Sequence, residues 1–317
     1  MLNAENVKAA LLGLAVGDAL GVPVEFSSRN KMKKYPVTGM REFGVWQQPI
    51  GTWSDDTSLT IAAMESISRL KKFDDVDVMK NFVRWLKYDE FTANNYTFDC
   101  GNTTGAAIHN FIHSLPPDKC GISHENSNGN GSLMRIFPAV FYAYTKTTTD
   151  EDALQIVHKF SALTHAHEVS KMACGIYYLI AAQILDGQNL NDAIFTGLKK
   201  AQEFYTNQQE FLDAVEVYSR MFKKNFAALP EDAIKSSGYV VATLEAVTWC
   251  LLNTNDYKTL VLNAVNLGGD TDTVGAIAGG IGGLYYGLQQ IPNEWLNVLK
   301  RREYLEDLAE KFFISIH

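Results

Sequence analysis

The stretch from Asp55 to Lys71 reads DDTSLTIAAMESISRLK, and its apolar residues lie three or four positions apart. Leu59, Ala62 and Ile67 would therefore share one face of an α-helix, and we expect that face to be buried in the protein interior. The same spacing recurs through most of the chain, for example at Ile176, Leu179, Ile180 and Ile184. Alternation of the kind found in strands is scarce. These patterns predict an all-α fold.

Helical spacing and capping residues together predict thirteen helices. Their expected ranges are 4–20, 55–71, 75–88, 102–114, 133–144, 150–163, 167–186, 190–205, 208–224, 239–253, 257–266, 272–288 and 293–312. Two long irregular stretches, 21–53 and 115–131, are rich in Gly, Pro, Ser or Asn, and loops of this length are typically functional or disordered. Because there is no repeat and no low-complexity tract, we expect residues 1–317 to form a single domain.

Composition and charge exclude several classes of protein. The net charge of −8 disfavours nucleic acid and anionic membranes as general partners. The apolar stretch 9–16 is flanked by Glu5 and Asp18, which indicates a buried helix and not a signal peptide, and no transmembrane segment is expected. The four cysteines form no CxxC pair, so neither a disulfide framework nor a zinc site is indicated and a cytoplasmic location is expected.

Two predicted helix starts carry more acids than a helix start needs. The segment 51–57 reads GTWSDDT and the segment 267–273 reads LGGDTDT. Either one alone is explained by helix capping, with Ser54 as one cap and Asp270 or Thr271 as the other. Together they offer a set of oxygen donors without Cys or His, which favours Mg²⁺, Mn²⁺ or Ca²⁺ over zinc. If the two starts face one another, four carboxylates meet and require cations.

Five segments in this order resemble the motifs of the ADP-ribosylglycohydrolase family. They are Gly13–Gly21 with Glu25 after it, Ser54–Thr57, Asn130–Arg135, Thr164–His165 and Gly268–Thr273. The resemblance implies a single-domain orthogonal bundle of helices around a binuclear Mg²⁺ or Mn²⁺ site. One ion would be held by Ser54, Asp55, Asp56 and Asp272, and the other by Asp270, Asp272 and Thr273. Many relatives have Thr in place of Ser54, which keeps a hydroxyl oxygen at this position.

The resemblance also implies hydrolysis of an ADP-ribosyl glycosidic bond, with an ADP-ribosylated protein or small conjugate as substrate and no organic cofactor. A water would attack the anomeric carbon while Glu25 or Asp56 handles protons. The apolar neighbours of Glu25 favour a raised pKa, although a lone loop Glu is ordinarily solvated.

Further residues are candidates for substrate contacts. Gly129, Asn130, Gly131 and Ser132 form a predicted turn, with Ser132 as a possible helix cap, whose N–H groups suit a phosphate. The resemblance places this turn in the ADP-ribose pocket and His165 beside the diphosphate or ribose. A purely structural role for His165 stays equally open. Asp99 and Gly269 complete the predicted contacts. The glycines of 275–287 lie inside a predicted helix and indicate close helix packing.

The resemblance implies an N-glycosidic bond to arginine as the favoured linkage, and chemistry adds that a guanidine leaves well only when protonated and that a carboxylate-rich pocket favours that cation. Hydrolysis of an O-linked ADP-ribose, on serine or an O-acetyl group, is the alternative within the same chemistry. A catalytically silent ADP-ribose-binding or structural relative is the alternative outside it, and the complete set of oxygen donors argues against it. A helical His-Asp phosphohydrolase is disfavoured because the chain has no His-Asp dipeptide.

Overall fold

The computed structural model describes residues 2–317 and confirms the all-α prediction, since its described residues contain isolated β-bridges but no strand. The α-helices are α1 (Ala4–Gly21), α2 (Arg29–Lys34), α3 (Asp55–Leu70), α4 (Asp75–Tyr88), α5 (Asn102–Ile112), α6 (Phe137–Lys146), α7 (Asp150–Ala162), α8 (Glu168–Leu185), α9 (Leu190–Thr206), α10 (Leu212–Val217), α11 (Val240–Leu252), α12 (Tyr257–Asn266), α13 (Thr271–Tyr286), α14 (Asn293–Leu296) and α15 (Arg302–Ile316). Short 3-10 helices lie at Val22–Val24, Pro117–Lys119, Glu125–Ser127, Gln209–Phe211, Phe226–Ala228, Glu231–Ala233 and Leu288–Gln290.

An antiparallel pair, α1 and α13, forms the centre of the fold. Gly13 of α1 lies against Gly279 and Gly283, whereas Gly17 lies against Gly275. A Cβ atom on Gly17 would come within 2.0 Å of the Gly275 carbonyl oxygen, so only glycine permits this approach. The prediction that the glycines of 275–287 allow close helix packing is confirmed. This contact brings the end of α1 to the start of α13, where the acidic residues lie.

From Ala9 to Gly21, helix α1 is apolar on all sides apart from Asp18. By length and composition Ala4–Val24 could cross a membrane, yet 94% of its most apolar 18-residue stretch is buried within the protein. Tyr257 of α12 donates a hydrogen bond from its hydroxyl to the Gly13 carbonyl, which ties a third helix to the pair. A helix that is apolar on every side and surrounded by others is typical of a protein core.

Three predicted helices differ from the structure. The helix predicted at 133–144 begins only at Phe137, with Pro138 in its first turn, a position that suits a residue without an N–H. The helix predicted at 208–224 ends at Val217, after which Arg220 leaves the helical path to pair with Glu245 of α11. Short turns follow it.

The helix predicted at 293–312 is two helices, α14 and α15. Between them the Lys300 amide donates to the Gly51 carbonyl, and the Lys300 carbonyl accepts from the indole of Trp53. Arg301 is in the left-handed conformation with φ of 53°. Hydrogen bonds to the loop before α3 thus replace helical ones, and they fix the approach of that loop to the site.

Candidate active site

The candidate site is a cavity of about 380 Å³ at the meeting point of several helix starts. This volume lies within the roughly 300–1,000 Å³ of small-molecule sites. Its lining residues are Glu25, Phe26, Asp55, Asp99, Gly101, Asn102, Thr103, Thr104, Asn126, Gly129, Asn130, Gly131, Met134, His165, Gly238, Asp270 and Thr273. Residues that are more than 200 positions apart in sequence therefore surround one space.

Two groups of carboxylates lie at this site, and two of their members, Glu25 and Asp270, line the cavity. Asp18, Asp56 and Asp272 form one group, and Glu25, Asp270 and Asp272 form the other, each with oxygens within 4.8 Å of one another. Asp272 belongs to both groups. The expectation that the acids of the two helix starts face one another therefore agrees with the structure.

Two of the carboxylates in these groups each keep one oxygen without a partner that would stabilise its charge. Asp56 and Asp272 are completely buried, and Asp56 Oδ1 and Asp272 Oδ2 accept no hydrogen bond from the described residues. Burial, and then repulsion from neighbouring acids, holds the pKa of each well above its ordinary range. Such a set of hard oxygens fits a divalent cation, which would offset the repulsion and occupy the unpartnered oxygens.

The start of α3 is held from two directions. Ser54 is its N-cap, as predicted, and accepts a hydrogen bond from the Asp56 amide. Asp18 of α1 accepts from the Ser54 amide at 2.9 Å and from the Thr57 amide at 3.1 Å and hydroxyl at 2.6 Å. Burial raises the pKa of Asp18 to about 7 although these bonds favour its charged form. Asp55 reaches the cavity, and burial likewise raises its pKa.

The start of α13 is built differently. Gly268 and Gly269 precede it at φ values of 75° and 74°. Asp270 is the N-cap residue, yet its side chain caps no amide of the helix, so the prediction of a side-chain cap at this end is wrong. Instead Asp270 Oδ2 accepts a hydrogen bond of 2.8 Å from the side-chain amide of Asn130. The Thr271 hydroxyl donates to the Gly21 carbonyl of α1.

Glu25 follows the 3-10 helix after α1 and is only 4% exposed. Its pKa is raised to about 9, first by burial and then by Asp99, so the raised pKa predicted from its apolar neighbours is confirmed. The indole of Trp46 donates a hydrogen bond to Glu25 Oε2. Asp99 has a left-handed backbone with φ of 56°, and its own pKa is raised chiefly by burial.

The turn Gly129–Ser132 divides between cavity and interior. Gly129, Asn130 and Gly131 line the cavity, and the backbone amide of Asn130 donates to the Gly238 carbonyl. Ser132 is completely buried, accepts from the Ser161 hydroxyl and lies 3.5 Å from the Cys174 sulfur. The possible cap at Ser132 is wrong, because α6 begins five residues later.

His165 combines features of both interpretations that the sequence leaves open. It is 2% exposed and lines the cavity, and its Nδ1 lies 2.8 Å from the Thr164 hydroxyl. Burial, and then the charge of Arg135, lowers its pKa to about 3. Gly269 does not line this cavity: its amide bonds to Ser27 and its carbonyl accepts from Phe26.

Several residues of the site have no site role in the sequence argument, and Asp18, Trp46 and Gly238 are examples. Asp18 could have been found, because a charged residue inside an otherwise apolar helical stretch needs a buried partner. Trp46 lies within the long irregular stretch 21–53, and nothing local connects it with Glu25. Gly238 carries no local signal, since only the tertiary fold brings it to Asn130.

Comparison with known proteins decides the family. The sequence profile described as ADP-ribosylglycohydrolase matches residues 2–317. The chain belongs to the ADP-ribosylglycohydrolase family. Its members are hydrolases that act on ADP-ribosyl glycosidic bonds, and this chain is an enzyme of that kind.

Individual relatives agree with the family assignment. An ADP-ribosylarginine hydrolase of Serratia proteamaculans (strain 568) is 31% identical, over 98% of this chain and 79% of its own. The ADP-ribosyl-[dinitrogen reductase] glycohydrolase of Rhodospirillum rubrum is 30% identical, over 93% of this chain and 90% of its own. The solved structure of an ADP-ribosylglycohydrolase-related protein complex is similar with a TM-score of 0.82, 30% identity and 99% coverage of both chains.

Proposed function

We propose that the chain removes ADP-ribose from arginine side chains by hydrolysis that depends on two divalent cations, Mg²⁺ or Mn²⁺. The two carboxylate groups that share Asp272 carry this proposal, because buried acids with unpartnered oxygens are stable only when cations or protons neutralise them. Ser54, Asp55, Asp56 and Asp272 would hold one ion, and Asp270, Asp272 and Thr273 the other. Asp18, which belongs to the same carboxylate group as Asp56 and Asp272, would add a further carboxylate near the first ion.

Bound cations would supply charge that orients the ribose hydroxyls and polarises the site. The protein's own residues do the rest. Glu25 and Asp99 both line the cavity, and so does Phe26, which is 67% exposed. We assign proton transfer to Glu25, with Asp56 as the other candidate. The turn Gly129–Gly131 and His165 would contact the rest of the ADP-ribose.

The linkage to arginine rests on charge. A guanidine is strongly basic, with a pKa near 12 or above, so the arginine-linked substrate carries a cationic guanidinium and its guanidine leaves well only when protonated. A cavity lined by several acids, among them Asp55, Asp99 and Asp270, suits such a cation better than a neutral alcohol. The arginine-linked activity in the names of the Serratia and Pseudomonas putida relatives supports the same assignment.

The setting of the reaction follows from charge and composition. We propose that the chain acts as a single domain in a reducing cytoplasm, on an ADP-ribosylated protein or small conjugate. The net charge of −8 argues against general binding to nucleic acid or anionic membranes.

The test compares rates on three substrates: an arginine-linked ADP-ribosyl peptide, a serine-linked one and O-acetyl-ADP-ribose. Each is incubated with chelated protein and with protein resupplied with Mg²⁺, Mn²⁺, Ca²⁺ or Zn²⁺, and free ADP-ribose is quantified. We expect turnover of the arginine-linked peptide only with Mg²⁺ or Mn²⁺. Asp74→Asn, at the start of α4 and outside the cavity, is the control and should behave as wild type.

The outcomes separate the parts of the proposal. Faster release from either oxygen-linked substrate would contradict the arginine assignment and leave the hydrolase intact. Full turnover after exhaustive chelation would contradict the role of the cations. Binding of ADP-ribose without turnover of any substrate would favour the silent relative.

A further inference from the structure

A buried cation lies behind the cavity without an acid beside it. Arg135 is completely buried, and its guanidinium lies 4.7 Å from the ring centre of Phe82 and 5.0 Å from that of Phe160. Its Nε and Nη1 have no hydrogen-bond partner among the described residues. Burial lowers its pKa to about 9, so the group stays charged at neutral pH. A buried charge of this kind costs stability, which points to a use beyond packing.

Among the described residues, this guanidinium makes one hydrogen bond, and its partner lies next to a residue that lines the cavity. Arg135 Nη2 donates to the Thr164 hydroxyl at 2.7 Å, and that hydroxyl lies 2.8 Å from His165 Nδ1. Thr164 is itself completely buried. The three side chains therefore form a line from the interior to a ring that borders the cavity.

The direction of these bonds follows from what each group can do. A guanidinium only donates, so the Thr164 oxygen is an acceptor toward Arg135. Among the described residues, the acceptor that the single hydrogen of the Thr164 hydroxyl then reaches is His165 Nδ1. The reverse arrangement, with Nδ1 donating, would leave that hydroxyl hydrogen buried and unpaired at a cost of about 1–3 kcal/mol.

We propose that Arg135, acting through Thr164, fixes His165 as the neutral tautomer protonated at Nε2, so that the ring offers an N–H donor to an acceptor oxygen of the nucleotide. Nε2 faces the cavity: a Cβ atom on Gly131 or Gly129 would lie 3.3 Å or 3.6 Å from it. Arg135 and Thr164 are positioning residues in this scheme. The identity of the bound nucleotide as ADP-ribose rests on the proposed function.

The tautomer is measured first, in the wild-type protein without ligand. With histidine labelled by ¹⁵N, long-range ¹H–¹⁵N correlation spectra distinguish protonation at Nε2 from protonation at Nδ1. The His165 signals are those lost in His165→Gln. We expect protonation at Nε2, and protonation mainly at Nδ1 would overturn the proposal. This measurement needs no activity and no variant of the relay itself.

Substitutions then test the relay. Thr164→Val removes the hydroxyl at constant shape and should give a mixture of tautomers, with the Kd of ADP-ribose raised about tenfold. Thr164→Ser keeps the hydroxyl and should bind as wild type. Thr248→Val is the matched control, because Thr248 is a buried threonine of α11 whose hydroxyl has no partner among the described residues. The affinity for Mg²⁺ should stay unchanged in all three, which a general loss of structure would not permit.

A second pair tests what the ring offers to the nucleotide. The terminal amide of glutamine can place an N–H near the position of Nε2, whereas that of asparagine is too short. His165→Gln should therefore bind ADP-ribose more tightly than His165→Asn, and the reverse order would overturn the donor role. If wild-type protein shows Nε2 protonation but no affinity for ADP-ribose, the proposed function and the ligand assignment fail while the tautomer stands. If Thr164→Val does not fold, the wild-type spectrum and Thr164→Ser still decide the relay.

Discussion

The two acidic helix starts look alike in sequence and differ in how they are supported. At α3, Ser54 caps the helix and Asp18 accepts three hydrogen bonds from Ser54 and Thr57. At α13, no side chain caps the helix. Asp272 Oδ1 accepts from the adjacent Thr273 amide, while Oδ2 has no partner among the described residues. The first start has its amides capped by side chains, whereas the second does not, and each start keeps one carboxylate oxygen without a partner among the described residues, Asp56 Oδ1 and Asp272 Oδ2.

This difference separates two uses of one motif. The α3 start presents its acids from a rigid support that is tied to α1. The α13 start depends on what occupies the cavity, because its amides and Asp272 have spare bonding capacity. Substitutions at α13 should therefore affect binding of cations most, and those at α3 should divide their effect between binding and stability.

The largest expected effect comes from Asp272→Asn, because Asp272 belongs to both carboxylate groups. We expect activity to fall by more than the roughly 10–100-fold that is typical of residues that only orient a ligand. The measurement is the rate of ADP-ribose release at saturating Mg²⁺, with circular dichroism as the check on folding. Asp74→Asn is again the control. Residual activity within tenfold of wild type in a folded protein would contradict the shared role of Asp272.

A smaller effect is expected from Asp18→Asn, which tests the support of α3. The amide keeps one acceptor oxygen, but its NH₂ group would face the Thr57 amide and hydroxyl, so at least one bond is lost. We expect about a tenfold loss of Mg²⁺ affinity and a loss of about 1–3 kcal/mol in the free energy of unfolding of the Mg²⁺-loaded protein.

The control for Asp18→Asn is the metal-free protein. There the destabilisation should be smaller, since the substitution also removes a charge that repels Asp56. Titration calorimetry and urea unfolding give the two quantities. Equal destabilisation with and without Mg²⁺ would mean that Asp18 acts only as a structural cap.

Sequence patterns predict where helices α3 and α13 begin, but they do not predict which distant residues support these two helix starts. The all-α class, the Ser54 cap and the glycine contact follow from local spacing and residue type. Asp18 caps a helix that begins 37 residues later, and Asn130 bonds to Asp270 across 140 positions. Rules that use only neighbouring residues cannot predict pairs that lie so far apart in the sequence. The same reason explains the break between α14 and α15, where bonds from Lys300 to Gly51 and Trp53 replace a helical turn that the apolar pattern predicts.

The next prediction concerns pH and stability in the metal-free protein. The pKa values of Asp18 and Glu25 are raised to about 7 and about 9, above the ordinary range near 4. A carboxyl group whose folded-state pKa is raised contributes stability that is complete below its ordinary pKa and is lost as pH rises through the folded-state value.

We therefore expect the metal-free protein to melt at a lower temperature at pH 9 than at pH 6, by about 5 °C or more. Mg²⁺ should remove most of this difference, because a cation replaces the protons as the neutralising charge. Differential scanning calorimetry at the two pH values, with EDTA or with Mg²⁺, measures it. A metal-free melting temperature that rises between pH 6 and pH 9 would contradict the raised pKa values.

The smallest expected effect comes from Ser54→Ala, which removes the cap of α3 but not its second support. Its hydroxyl accepts from the Asp56 amide and donates to Asp56 Oδ2 at 2.9 Å, so its loss leaves one more carboxylate oxygen unpartnered. Loss of an N-cap typically costs about 0.5–2 kcal/mol. Asp18 still accepts from the Ser54 backbone amide, which this substitution leaves in place, so the acids of α3 should keep their positions. We expect activity at saturating Mg²⁺ within about fivefold of wild type and a raised Mg²⁺ requirement, since one neutral oxygen among several ligands is lost.

Ser66→Ala, near the other end of α3, is the control for this prediction. It removes a hydroxyl that bonds to Asp77 and should leave the Mg²⁺ requirement unchanged. If Ser54→Ala at saturating Mg²⁺ were as inactive as Asp272→Asn while still folded, the two helix starts would be equivalent in function despite their different support.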